Sequence, residues 1–432
     1  MLALLGLLTL LVFTVLVMSK RLIAFTAIIV VPIIVAIIGG FGAQLGDLMI
    51  EGVESVAKTA VLLLFAVLYF GIMMDSGLFD PLSAKLLKIA KGDPAKIAVG
   101  TGILALLCAL DGDGTTTYMI VCSAMLPVYR KIGMNPLVLA TVAIMSLGIV
   151  AGMTPWGGSA TRAISVLGLD AGDYFSPFIP TMLLSALWIL LTAYVLGRIE
   201  RKRIGTLEIE LDSEKESEAE AGEKKTKSTW KLWFNLFLTI ALMAVLIADI
   251  IPLATLFMIA FVIALLVNFP NLEDQKKVLK EHGSNAIPVV SLVLGAGIFT
   301  GILSGTKMVD AMAGELVAWI PQSMSPFFTV IIAIIGIPLS FFMSNDAYFF
   351  GVVPVLAQTA EQYGFHPIDV ARASVVGQAV HLLGPTSAPL WVLIELIRSD
   401  LGKLQKYSFI PILIASLAML AFAVITGAIS IG

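Results

Sequence analysis

Two aspartates separated by one glycine, Asp111 and Asp113, stand between apolar runs in the stretch ALDGDGTTTYMI, followed by the hydroxyls of Thr115, Thr116 and Thr117. Carboxylate and hydroxyl oxygens at this spacing suit a hard divalent cation, for which Asp113 is the leading ligand. The same pair can share a proton, because two close carboxylates resist being ionised together. A further acid, Asp346, follows Ser344 and Asn345 in MSNDAYFFG and is the expected counterpart of Asp113 in the second half of the chain. Arg162 closes the polar stretch TPWGGSATR, in which Thr154, Pro155, Gly157, Gly158 and Ser159 offer hydroxyls and freed backbone groups. Its planar guanidinium can clamp a carboxylate through two parallel hydrogen bonds, or it can snorkel to the surface or pair with Asp113. Thr386 and Ser387 in LLGPTSAPL supply two more hydroxyls. His381, just before them, suits proton transfer near neutral pH; a buried histidine bonded to a backbone carbonyl is the plainer alternative.

Several familiar chemistries are excluded by register. With Asp111 and Asp113 at the third and fifth places of a helix–loop–helix calcium loop, Gly114 falls correctly at the sixth. Ala109 and Ile120 then occupy the first and twelfth places, where acids are needed. TPWGG is not a phosphate loop, since no Gly-Lys-Ser/Thr follows. Cys108 and Cys122, the two cysteines, have no zinc spacing and make no disulfide framework.

These polar residues are set in a chain of 432 residues that is 59% hydrophobic and 13% charged, with mean hydropathy +0.99. Such a composition specifies a polytopic all-α membrane protein. The opening run MLALLGLLTLLVFTVLVMSK lacks a basic region before it and a small-residue cleavage site, and reads as a first transmembrane helix rather than a signal peptide. Nothing in the charge balance points to nucleic acid.

Lys and Arg place most loops on the cytoplasmic side if the chain starts outside and ends outside, provided that two apolar pairs turn back as re-entrant hairpins. The pattern gives about ten spans and two hairpins. Gly71–Asp80 pairs with Gly301–Asp310, and each glycine is followed 84 positions on by a proline in a polar break, Pro155 and Pro385. The expected division is therefore a first inverted repeat over 1–197, with an inner hairpin at about 95–128 and a broken helix at about 136–167. A charged cytoplasmic linker covers 198–231. The second repeat covers 232–432, with an outer hairpin at about 326–358 and a broken helix at about 368–397. The expected breaks are Asp111–Thr117, Thr154–Arg162, Ser344–Asp346 and Gly384–Pro389. An ionised carboxylate in a bilayer costs about 2.5–3.5 kcal/mol on insertion scales, so these breaks must face a cavity or one another. Together they would form one central site for an anionic solute and its coupling cations.

The motifs FGIMMDSGLFDPL, KGDPAKI, ALDGDGTTTYMI, TPWGGSATRA and VLGRIERKRIG, with SNDAYFFGVVPVL and HLLGPTSAPLW, closely resemble those of the bacterial citrate–divalent metal:proton symporters, within the ion transporter superfamily. The resemblance implies uptake of citrate complexed with a divalent metal and driven by protons across the bacterial cell membrane. It also implies a homodimer embedded in lipid and working as an elevator. No permanently bound cofactor is expected; the metal is cargo. Sodium-coupled relatives of that superfamily typically carry Ser-Asn-Thr at both hairpin tips. The acids here therefore suggest that protons or the metal itself balance the substrate, with Asp111, Asp113, Asp346 and His381 as the coupling candidates. The runner-up is a sodium- or proton-coupled carrier of metal-free di- or tricarboxylates; the remote alternative is an intramembrane aspartyl hydrolase.

Overall fold

The computed structural model describes residues 1–78, 81, 92–205, 229–247, 250–319 and 322–431. Most of the expected linker (206–228) lies outside the described residues, as does the end of the Gly71–Asp80 segment used in the repeat assignment. The described chain is helical throughout.

Helices α1 (Leu2–Met18), α2 (Ala24–Ile38) and α3 (Leu45–Asp75) open the chain. The first hairpin comprises α4 (Pro94–Cys108), a single 3-10 turn at Ala109–Asp111 and α5 (Gly114–Ile132). The first broken helix is α6 (Pro136–Met153) and α7 (Gly158–Val166). A short α8 (Ala171–Phe175) leads into α9 (Ile179–Ile204). Beyond the linker come α10 (Thr229–Ile247), α11 (Leu253–Asn268), α12 (Leu272–Gly305) and α13 (Met308–Trp319). The second hairpin is α14 (Phe328–Phe342), a π-helical turn at Ala347–Val352, and α15 (Val353–Gln362). Three short helices follow, α16 (Pro367–Ser374), α17 (Gln378–His381) and α18 (Ala388–Ile397), before α19 (Leu401–Ile425) closes the described chain.

Among the described residues, seven helical stretches are long and apolar enough to cross a membrane: 42–75, 94–111, 136–166, 171–204, 272–305, 324–342 and 401–425. The chain is a multi-pass membrane protein. Two of the seven, 94–111 and 324–342, are hairpin arms; the other five of the ten spans read from hydropathy fall short, because the apolar stretches of α1, α2, α10 and α11 are 15–17 residues long and the second broken helix is divided into pieces of 8, 4 and 10.

Packing separates a central element from peripheral ones. The apolar window of 136–166 is 94% buried, whereas that of 171–204 is 22% buried and presents Leu183, Leu187 and Leu191 outward. The first broken helix therefore runs through protein, where the unpaired backbone of a break is tolerated. It crosses the second broken helix at Gly148, where a side chain would collide with the backbone of Ala379. α3 and α12, which also pack against α7, lie along each other with Gly52 against Gly297, close enough that neither position accepts a Cβ.

Two boundaries differ from expectation. The charged cluster Arg198–Arg203 is the last part of α9 and not linker. Its buried Glu200 accepts from Arg203 Nη2 at 2.5 Å and from the Asn135 backbone N–H at 2.8 Å, so tertiary contacts extend the helix. The second broken helix is interrupted twice, at Val375–Gly377 and at 382–387, the latter beginning and ending two residues before the expected Gly384–Pro389. At the extra interruption Ser340 Oγ donates to the Gly377 carbonyl at 3.2 Å, beside the His381 N–H that bonds the same carbonyl at 2.9 Å.

Candidate functional site

At the first hairpin tip, the non-helical part is short: Gly112 and Asp113. Asp113 is the N-cap of α5, its Oδ2 accepting from the Thr116 N–H at 2.6 Å. Asp111 turns back on the same loop, its Oδ1 accepting from the Asp113 N–H at 2.8 Å and from Thr117 Oγ1 at 3.5 Å. Gly112 has φ +79° and lies against the Trp156 carbonyl, so the turn needs both the left-handed backbone and the missing side chain. Thr115 and Thr116 are half-buried beside it.

The first helix break is four residues, Thr154–Gly157, shorter than the expected Thr154–Arg162; Gly158, Ser159 and Arg162 belong to α7. Trp156 donates from Nε1 to the Leu110 carbonyl at 2.6 Å, tying the break to the first hairpin tip. The indole also packs in an aromatic cluster with Phe70, Phe175 and Phe257, at centroid distances of 5.7, 5.9 and 4.9 Å. The Pro155 carbonyl accepts from Thr161 Oγ1 at 3.0 Å. Arg162 pairs with Asp346 and not with Asp113: its Nε donates to Asp346 Oδ1 at 2.6 Å, and its Nη1 to the Gly158 carbonyl at 2.6 Å.

At the second tip the N-cap is Ser344, whose Oγ accepts from the Ala347 N–H at 3.2 Å. Ser344 therefore does what Asp113 does at the first tip. The expected equivalence of Asp346 with Asp113 is corrected: Asp346 sits two positions past the cap, freeing its carboxylate to reach Arg162. The second break joins the same tip through Thr386 Oγ1, which donates to the Met343 carbonyl at 3.2 Å. It also reaches the first tip, since Pro389 lies against Gly114, 2.8 Å from where a Cβ would stand. His381 is buried with Nδ1 donating to the Ser340 carbonyl at 2.6 Å, the geometry of a structural histidine.

Each hairpin tip thus touches both broken helices. Four helix starts, at Gly114, Gly158, Asn345 and Ala388, come from these breaks, and the N–H groups there favour negative charge. Among the described residues, four predicted site residues also carry buried polar atoms without a protein partner: Thr154 Oγ1, Ser159 Oγ, Asn345 Oδ1 and Ser387 Oγ. Native proteins keep few such groups, so their concentration here marks a surface built for polar contact. Gln378 Oε1, on the second broken helix, is another, and neither it nor Trp156 was singled out from the sequence. Asp111 and Asp113 make no hydrogen bond or ion pair with Arg162 or Asp346 among the described residues. No group of three or more His, Cys, Asp or Glu side chains that could hold a metal occurs there either. A metal at this site would need most of its ligands from the solute that carries it. A separate cavity of about 120 Å³ lies between α12, α13 and α15, away from all four breaks.

Comparison with known proteins agrees with this architecture. Residues 1–377 match the family model described as citrate transporter. Over the full length of both chains, the protein is 50% identical to a Bacillus subtilis protein named citrate transporter, and 46% identical to another named Mg(2+)/citrate complex secondary transporter. A third B. subtilis relative, the uncharacterized transporter YraO, is 50% identical, again over all of both chains. The fold is shared with the YdaH transporter of Alcanivorax borkumensis, at TM-score 0.61 and 17% identity over 89% of this chain and 88% of that one. It is also shared with MtrF of Neisseria gonorrhoeae, at TM-score 0.65 and 14% identity over 90% and 84%. The chain belongs to the citrate transporter family and is a transporter, not an enzyme.

Proposed function

We propose that the protein takes up citrate complexed with a divalent metal ion, together with protons, across the bacterial cell membrane. The observation that carries this reading is the meeting of both hairpin tips with both broken helices around Arg162. Citrate carboxylates would be received by the helix starts at Gly114, Gly158, Asn345 and Ala388 and by Arg162. The hydroxyls of Thr154, Ser159, Thr386 and Ser387 would fix its orientation, with Thr115 and Thr116 beside them. Citrate supplies most ligands to its metal, and Asp113, whose Oδ1 is not engaged by the helix cap, completes them.

Citrate with one divalent cation carries a net charge of about −1, so entry with two or more protons moves positive charge inward. The membrane potential favours such a step by about 2.3 kcal/mol per charge per 100 mV. Asp111 and Asp113 are the proposed proton carriers. Matching helix ends support an inverted repeat: α3 ends at Asp75 and α12 at Gly305, 230 positions on, just as Gly301 follows Gly71. Each repeat would contribute one hairpin and one broken helix to a moving domain, in a homodimeric elevator with both termini outside.

Radiolabelled citrate uptake into proteoliposomes tests this reading, across a panel of divalent ions and with either a pH or a sodium gradient. We expect uptake that requires a divalent ion and a pH gradient. Uptake unaffected by chelating the metal would favour a carrier of metal-free carboxylates, and uptake driven by sodium alone would refute proton coupling.

A further inference from the structure

We infer that Asp346 occupies Arg162 as a stand-in for a substrate carboxylate, and that binding exchanges one carboxylate for the other. The inference rests on the citrate reading and assigns a specific task within it. Arg162 Nη1 is held by the Gly158 carbonyl at 2.6 Å, which fixes the plane of the guanidinium. The edge formed by Nε and Nη2 remains for a partner. Asp346 takes it incompletely, through the contact of Oδ1 with Nε at 2.6 Å, and Nη2 has no acceptor among the described residues. A carboxylate free to align would make two parallel hydrogen bonds on that edge, the stronger arrangement.

The surroundings suit exchange more than a permanent strut. Both side chains are 21% exposed, so an incoming solute can reach the pair. Ser159 lies one helical turn before Arg162 on α7, and Asn345 is adjacent to Asp346; each carries a buried polar atom without a protein partner. Once displaced, Asp346 stays in the first turn of its own helix, where the helix N-terminus favours a negative charge and lowers the cost of losing the guanidinium. Displacement also cuts an ion-pair link between α7 and the second hairpin. The same step that seats the anion thus releases the hairpin.

The sign of one effect decides the matter. If Asp346 competes with substrate, removing its charge tightens binding; if it braces the hairpin or ligates the metal, removal weakens it. Equilibrium binding of radiolabelled citrate with saturating magnesium should be measured on the purified full-length protein and on Asp346→Asn, Asp346→Ser and Asp346→Glu, with thermal melting to confirm folding. We expect Asp346→Asn to bind about fivefold tighter or more, in the usual range for coupled sites. Asp346→Ser should do the same, and carries the test if the asparagine variant does not fold. Asp346→Glu, which keeps the charge, should bind no tighter than the unaltered protein. Equal or weaker binding by the neutral variants, with binding by the unaltered protein intact, overturns the exchange. Failure of the unaltered protein to bind citrate with magnesium would instead remove the citrate reading, and the exchange with it.

Discussion

The two hairpin tips solve the same problem in different ways. At the first, a carboxylate caps the helix and a second carboxylate closes the turn, so Asp113 and Asp111 are held by their own loop. At the second, a serine hydroxyl is the cap, and the acid beyond it reaches across to an arginine on another helix. The first tip is anchored mainly by close packing, with Gly112 against the Trp156 carbonyl and Gly114 against Pro389, beside the one hydrogen bond from the Trp156 indole to the Leu110 carbonyl. The second tip is held by side chains, Arg162 and Thr386. Side-chain contacts can be exchanged with a solute, whereas a turn packed against backbone cannot yield without moving the break. We therefore regard the first tip as the fixed wall of the site and the second as its gate.

Substitutions that separate charge from capping test this contrast. The largest effect is expected for Arg162→Ala, which strands Asp346 and removes the anion clamp. Citrate uptake efficiency should fall by about 100-fold or more, in line with truncation of a charged partner. A fall below about threefold would mean that Arg162 braces the hairpin and does not touch solute. Next is Asp113→Asn. Asparagine caps a helix as well as aspartate does, so the melting temperature should hold while uptake falls by about tenfold or more. Normal uptake by this variant would break the assignment of the first tip to metal or proton handling.

Trp156→Phe keeps an aromatic ring in the cluster with Phe70 and Phe257 but loses the hydrogen bond to Leu110. A stability loss of about 1 kcal/mol is expected, with a fewfold fall in uptake rate and little change in apparent citrate affinity. A change in affinity as large as the change in rate would place the indole in contact with solute. Ser344→Ala should have the smallest effect, about 1 kcal/mol of lost capping, read as a lower melting temperature. If this variant lost uptake as completely as Asp113→Asn, the two caps would be equivalent and the contrast between the tips would fail.

The polar breaks were legible in the sequence because Gly, Pro, Ser and Asp cannot interrupt an apolar run in a membrane without a reason. Thr154, Ser159, Asn345 and Ser387 are all residues that such interruptions single out, and all carry unpartnered polar atoms in the structure. The pairing of Arg162 with Asp346 was not legible. Aligning acids with acids matched Asp346 to Asp113, whereas the capping geometry matches Ser344 to Asp113, and only backbone geometry distinguishes the two. Trp156 was passed over because an indole in a hydrophobic chain reads as packing; its N–H bond to Leu110 connects residues 46 positions apart. The additional interruption at Val375–Gly377 lies in the run ASVVGQAV, whose composition reads as continuous helix. There Gly377 packs directly against the Gly336 carbonyl and Ser340 Oγ, a tertiary effect. The helical end of α9 was hidden likewise, since Glu200 and Arg203 look like linker charge until their partners are seen.

The central claim is that one site, built from four breaks, carries citrate and its metal together. Double-label uptake measures this directly, with radiolabelled citrate and a radioactive divalent ion such as manganese supplied to proteoliposomes containing the protein. The account predicts that metal and citrate accumulate in equal amounts, and that Asp113→Asn lowers both together. Citrate entering without the metal, or metal entering without citrate, would contradict it.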